Sequence, residues 1–253
     1  MTVEYGVINI GTVSFPSDPA RLSIRNTVSR YASDLGMHIY DSSVQLGSFE
    51  NNTLTLNDRP VKLPAEMVGV LGSDSQYSGN TDDRIHVFDQ DIVTAQTWKK
   101  LDVPYYMQDS SRYDVNAALI IDAGVSLEFN SGSKLQVSSS GSLMAIGTET
   151  DPVLFTGLEQ VPGYWGGIEF YRSNSTDNQL DYVIVEYAGA GDPLSSGNIT
   201  SVCFPSTPTR FSVTNSVIKD SFGWGVYRYG GESDGCYITL TNNTYSNNAS
   251  GDF

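Results

Sequence analysis

The chain is poor in the residues on which most site chemistry depends. Cysteine occurs twice, at Cys203 and Cys236, too seldom for a fold built on disulfides. Histidine also occurs twice, at His38 and His86, which excludes histidine-rich metal centres. The GxxxxGK[ST] phosphate loop, HExxH, a CxxC pair and a calcium-binding glycine-rich nonapeptide array are all missing, so no cofactor is implied. Basic residues number 14 against 29 acidic ones, for a formal charge of −15, and they are scattered. Nucleic acid is therefore not an expected partner, because its phosphates would be repelled. Acidity of this size fits an extracellular or salt-tolerant surface. No apolar run approaches the length of about 18 residues that a membrane-crossing helix needs. The start, "MTVEY", lacks the basic residues and apolar core of a signal peptide, so an exported protein would carry its signal outside this sequence.

Helical periodicity is scarce as well. The best stretch, 25–36 ("RNTVSRYASDLG"), aligns with "TNSVIKDSFGWG", whose glycines and β-branched residues are poor helix formers, and both read as strand and turn. What the chain has instead is short alternating runs between turn residues, such as "ALIIDAGVSLEF", "SKLQVSSSGSLMAIG" and "LDYVIVEYAG". Each reads as a strand of about three to six residues with one buried face. The expected inward set is Val125, Leu127, Phe129, Leu143, Val153, Phe155, Ile168, Phe170, Val183 and Val185, with turns at Gly124, Gly141, Gly147 and Gly157.

The chain also repeats itself. Residues 3–57 return as 185–248, and at a spacing of 189 the pairs Val13/Val202, Phe15/Phe204, Pro16/Pro205, Ser17/Ser206, Pro19/Pro208, Arg21/Arg210, Ser23/Ser212, Asn26/Asn215, Val28/Val217, Gly36/Gly225 and Tyr40/Tyr229 are identical. The spacing drifts from 182 at Val3 to 191 at Asn51, so the second copy has extra residues in two loops. A chain with one full long repeat and part of another is expected to be cut from, or to join, a longer array. Two-residue hairpin signals are rare, whereas asparagine pairs stand at equivalent points, Asn51-Asn52 and Asn242-Asn243. Such pairs suit the stacked amide ladders of a solenoid, which favours a parallel β-solenoid over an antiparallel sandwich.

The segment "LIIDAGVSLEFNSGSKLQVSSSGSLMAIGTETDPVLFTG", followed by "GYWGGIEFY" and "NQLDYVIVEYAG", resembles the right-handed parallel β-helix repeat domains of large secreted and cell-surface proteins of bacteria and archaea, in the pectate-lyase-like fold group. The upstream "QTWKKLDVPYYMQ" is similar to the segment that often begins such helices. The resemblance implies an all-β, three-sheet right-handed parallel β-helix. Residues 1–84 are expected to be the C-terminal part of one repeat unit, and 85–253 a second unit continuous with it. It implies little about activity, since many such domains carry no known chemistry.

Several residues qualify as sites, each against a plainer role. Glu4, Glu128, Glu169 and Glu186 sit between inward apolar residues and should point outward. Were two of them neighbours on one sheet, they could flank a glycosidic bond or hold calcium, which makes Glu128, Glu169 and Glu186 the metal candidates. The plainer role, a solvated face that discourages aggregation, weighs more. The basic and acidic residues that a polysaccharide lyase needs have their nearest match in Asp82-Asp83-Arg84 with Asp89, Asp91, Lys99 and Lys100, but no lyase motif is present. Tyr227, Tyr229 and Tyr40 should present rings outward, for stacking on sugars or on one another. His38 aligns with Tyr227, so its position accepts a ring without imidazole chemistry. Trp165 is expected to pack at a turn. Cys203 and Cys236, both in the second copy, are expected to form a disulfide. Five sequons (Asn51, Asn174, Asn198, Asn242, Asn248) offer glycosylation sites in a suitable host.

These readings converge on a non-catalytic extracellular or cell-surface module, structural or adhesive, whose partners are itself, end to end or laterally, or other surface components. The rival is a polysaccharide-binding or polysaccharide-degrading β-helix protein.

Overall fold

The computed structural model describes residues 1–12, 21–41, 43–189 and 196–253, with Glu232 described by its backbone alone. Val13, Phe15, Pro16, Ser17 and Pro19 of the identity series lie outside the described residues. The chain divides into two compact units, Met1–Gln90 with Lys99–Gln108, and Asp91–Trp98 with Asp109–Phe253.

The first nine strands belong to the first unit: β1 (Thr2–Glu4), β2 (Ile8–Thr12), β3 (Arg21–Arg25), β4 (Val28–Arg30), β5 (Leu35–Ile39), β6 (Gln45–Glu50), β7 (Thr53–Leu54), β8 (Arg59–Pro64) and β9 (Ile85–Phe88). β10 (Gln96–Trp98) belongs to the second unit and β11 (Tyr105–Met107) to the first. Within the first unit the parallel sheets run β1-β4-β7, β3-β6 and β2-β5-β8-β9-β11. The second unit continues with β12 (Arg112–Val115), β13 (Ala118–Ile121), β14 (Ser126–Phe129), β15 (Lys134–Val137), β16 (Ser142–Ile146), β17 (Val153–Gly157), β18 (Ile168–Tyr171) and β19 (Gln179–Asp181). It ends with β20 (Val183–Glu186), β21 (Gly197–Val202), β22 (Thr209–Thr214), β23 (Val217–Lys219), β24 (Trp224–Tyr229), β25 (Cys236–Thr241) and β26 (Thr244–Ser246). Its three parallel sheets are β12-β15-β18-β21-β24, β10-β13-β16-β19-β22-β25 and β14-β17-β20-β23-β26. In this unit each strand pairs with the one three places on, the connectivity of a three-sided parallel β-solenoid.

Period-two alternation places the core. On one sheet Tyr113, Leu135, Ile168, Ile199 and Val226 stack in register, and on another Leu127, Phe155, Val185 and Ile218; all are buried. Every residue of the expected inward set is buried. Phe129 stacks on Trp165 with centroids 4.0 Å apart, and the Trp165 indole N–H donates to the Glu186 carbonyl at 2.8 Å, which satisfies the polar end of a fully buried ring at a turn. Gly157 is the last residue of β17, where a Cβ would stand 2.9 Å from the Glu159 carbonyl oxygen.

The two copies fold alike. β1-β4-β7, β2-β5 and β3-β6 match β20-β23-β26, β21-β24 and β22-β25 in order and direction. The asparagine pairs serve the same bonds in both. The Thr27 N–H donates to Asn52 Oδ1 and Asn52 Nδ2 donates to the Ile24 carbonyl, while Ser216, Asn243 and Val213 repeat the pattern. Their partners Asn51 and Asn242 adopt left-handed φ of 51° and 55° and reach Asn26 and Asn215 one coil back. The copies differ where β3 bulges against β6 at Leu22/Ser23, while β22 and β25 keep register.

Candidate functional site

The outward face of β12-β15-β18-β21-β24 gathers more of the expected site residues than any other face described. Asp114, Gln136, Glu169, Thr200 and Tyr227 share one register row, and Tyr171, Val202 and Tyr229 share the next. Glu169 points outward, as alternation requires, yet it is only 3% exposed. Lys134 Nζ lies 3.0 Å from its carboxylate. This is a buried ion pair rather than a solvated glutamate, and the lysine offsets the cost of desolvating the carboxylate. Beside it, Gln136 Nε2 donates to Asp114 Oδ1 at 3.0 Å, and Arg112 pairs with the same aspartate at 2.7 Å.

Glu128 and Glu186 lie on a different sheet, β14-β17-β20-β23-β26, with Thr156 between them. Glu186 takes a hydrogen bond from the Thr156 hydroxyl at 2.9 Å and an ion pair from Lys219 Nζ at 2.8 Å. The Glu186 hydrogen bond, ahead of the opposing effect of burial, raises the Lys219 pKa. Glu4 is paired in register with Arg30, and their side chains form an ion pair. The structure therefore does not bring Glu128, Glu169 and Glu186 together. Among the described residues no three of His, Cys, Asp or Glu are grouped to hold a metal ion.

The tyrosines separate too. Tyr40 belongs to the first unit, where its ring lies 3.8 Å from that of His38. Tyr227 is half-buried, whereas Tyr229 is 36% exposed and meets Phe204 edge-on, with centroids 6.2 Å apart. Phe204 in turn meets the Tyr171 ring at 6.5 Å. Tyr171, Phe204 and Tyr229 thus form a continuous ring cluster beside the sheet, contacted by Arg172.

In the first unit the two histidines share a row, His38, Lys62, His86, Tyr106. His86 is buried with Nε2 at 2.9 Å from Asp82, and burial lowers its pKa although Asp82 opposes the shift. His38 is lowered to about 4 by burial and, secondarily, by Lys62. Asp82 also pairs with Arg84 at 2.6 Å, and Asp83 caps the backbone N–H groups of Gly79 and Asn80. Asp82, Asp83 and Arg84 of the lyase-like grouping are thus engaged in local structure.

Cys203 and Cys236 are buried with Cα atoms 5.6 Å apart and their sulfurs in bonding contact, a Cα separation inside the disulfide range. The Asn198 sequon is fully buried, its amide consumed by the backbone, so it cannot carry a glycan in the folded chain; Asn51, Asn174 and Asn242 are exposed.

Sequence reasoning missed a second asparagine series. Asn198 Oδ1 accepts from the Ala188 N–H, and its Nδ2 donates to the carbonyls of Val185 and Lys219. Asn9 makes the matching set with Gly6, Val3 and Arg30. Asn57 and Asn248 do likewise in the next coil of each copy. A Cβ at Gly36 or Gly225 would stand 2.8 Å from the Asn57 or Asn248 amide, which explains why that identical pair is glycine. The signal was available, since Asn9 and Asn198 are themselves 189 apart. Compared with protein-family models, curated proteins and solved structures, the chain gives no match.

Proposed function

We propose that the chain is a non-catalytic structural or adhesive β-helix module of an extracellular or cell-surface protein, of the secreted bacterial and archaeal kind that its sequence resembles, and that its partners are further copies of itself or other surface components. One observation carries the reading. Within the described residues the two copies share stacking apparatus: the Asn9/Asn198 and Asn52/Asn243 turn amides, Gly36/Gly225, and the order of pairing strands. Some outward positions change between copies, as where His38 stands for Tyr227, while the exposed pairs Arg21/Arg210 and Tyr40/Tyr229 are kept. Repetition of the stacking scaffold is what an array built of neighbouring coils requires. Buried outward carboxylates tied to Lys134 and Lys219 support the same reading, because each serves its own sheet.

Negative-stain microscopy and sedimentation of the purified chain test it: filaments or lateral oligomers growing with concentration are expected. Release of unsaturated sugar from acidic polysaccharides, read as rising ultraviolet absorbance with or without calcium, would overturn it in favour of the degrading enzyme.

A further inference from the structure

Arg172 is placed unlike the arginines that serve ion pairs. Arg25, Arg30, Arg59, Arg84 and Arg112 each have a carboxylate within reach. Among the described residues Arg172 has none, although the chain carries a formal charge of −15. Its backbone is held left-handed at φ 59°, a conformation unfavourable for a non-glycine residue. Its guanidinium lodges in the corner between two rings, 4.9 Å from the centroid of Tyr171 and 4.6 Å from that of Phe204, which stand at 73° to each other. Its Nε is buried with no acceptor among the described residues.

Arg172 also lines a surface groove of about 480 Å³. Ser140, Ser142, Asn174, Ser175 and Thr207 line the same groove, and the Thr207 hydroxyl is itself buried without a partner. A fixed guanidinium fork beside neutral hydroxyl and amide donors matches an anion that presents two oxygens side by side, a carboxylate or a phosphate. The lining supplies one cation, and a strongly acidic chain disfavours ligands of higher charge. We propose that this groove is a binding site for a monocarboxylate, with the terminal nitrogens of Arg172 taking its two oxygens and the Thr207 and serine hydroxyls donating to the same carboxylate. The site is independent of the scaffold reading, since a module can bear a ligand and remain non-catalytic.

The test is an NMR titration of the full chain with sodium acetate, followed through the Arg172 Nε–Hε resonance, with sodium chloride at equal ionic strength as control and sodium sulfate as competitor. The resonance is assigned by its disappearance in Arg172→Lys. The expected result is a saturable shift with half-saturation at about 1–10 mM acetate, weaker with sulfate and absent with chloride. Thr207→Val, which leaves Arg172 and both rings in place, should weaken acetate binding about threefold to tenfold. The proposal fails if acetate gives no saturation below about 100 mM. Tighter binding of sulfate than acetate would also overturn it, as would a Thr207→Val titration identical to the parent's. Thr207→Val alters no ring and no charge, so its titration tests the groove with the Arg172 guanidinium and both rings undisturbed.

Discussion

A single side chain can hold a coil in place, and Asn198 does so with both ends of its amide. Truncation to alanine would strand the Ala188 N–H and the carbonyls of Val185 and Lys219 in a buried turn. Asn198→Ala should therefore cost about 2–4 kcal/mol in urea unfolding. An unchanged midpoint would mean that the turn finds other partners. Phe155 tests packing in the same way: it is fully buried between Leu127 and Val185 in register, so Phe155→Ala should cost about 3–5 kcal/mol by opening a cavity. A melting temperature unaffected by that change would contradict the stacked interior. The two residues also differ in how readable they were. Phe155 is legible because strand alternation has period two, so its neighbours in sequence state its direction. Asn198 and Arg172 take their meaning from chain 13 to 32 residues away, the distance to Val185 in one case and to Phe204 in the other. No local pattern encodes that.

Strands β5, β8 and β9 carry an acid-sensitive row. His38 and His86 flank Lys62, with Asp82, Arg84 and Arg59 near His86. Both imidazoles have pKa values below the ordinary value of about 6.5, so between that pH and the folded value the unfolded chain binds more protons than the folded one. Stability present above about 6.5 is accordingly lost as pH falls, for His38 down to about 4. His38→Tyr installs the ring found at Tyr227 and removes one titrating group. Because His38 is half-exposed, solvent screening limits the effect to about 1 kcal/mol. Urea unfolding at pH 7 and pH 4.5 should show the variant losing less stability than the parent. Equal losses would show that the His38 imidazole carries no acid-labile stability. The outward direction of Glu169 and Glu186 was legible from alternation, but their burial was not, because Lys134 and Lys219 reach them from other strands.

At the scale of the molecule the copies are alike in strand order and unlike in how they are fastened. The second has the Cys203–Cys236 link between the end of β21 and the start of β25, while the first has Ser14 opposite Cys203, outside the described residues. A link across 33 residues removes loop entropy from the unfolded chain worth about 3–4 kcal/mol. In a solenoid each coil is stabilised chiefly by its neighbours, so that contribution belongs to the coils it joins. Alkylation of the unfolded, unreduced protein should leave the intact mass unlabelled, and two labels would mean free thiols. Hydrogen exchange then locates the effect. In the Cys203→Ser/Cys236→Ala double variant, amides of β21, β22, β24 and β25 should lose protection, while those of β4, β5, β7 and β8 keep theirs. Loss of protection throughout both copies would show one cooperative whole, and loss in neither would show that the link is dispensable to the fold.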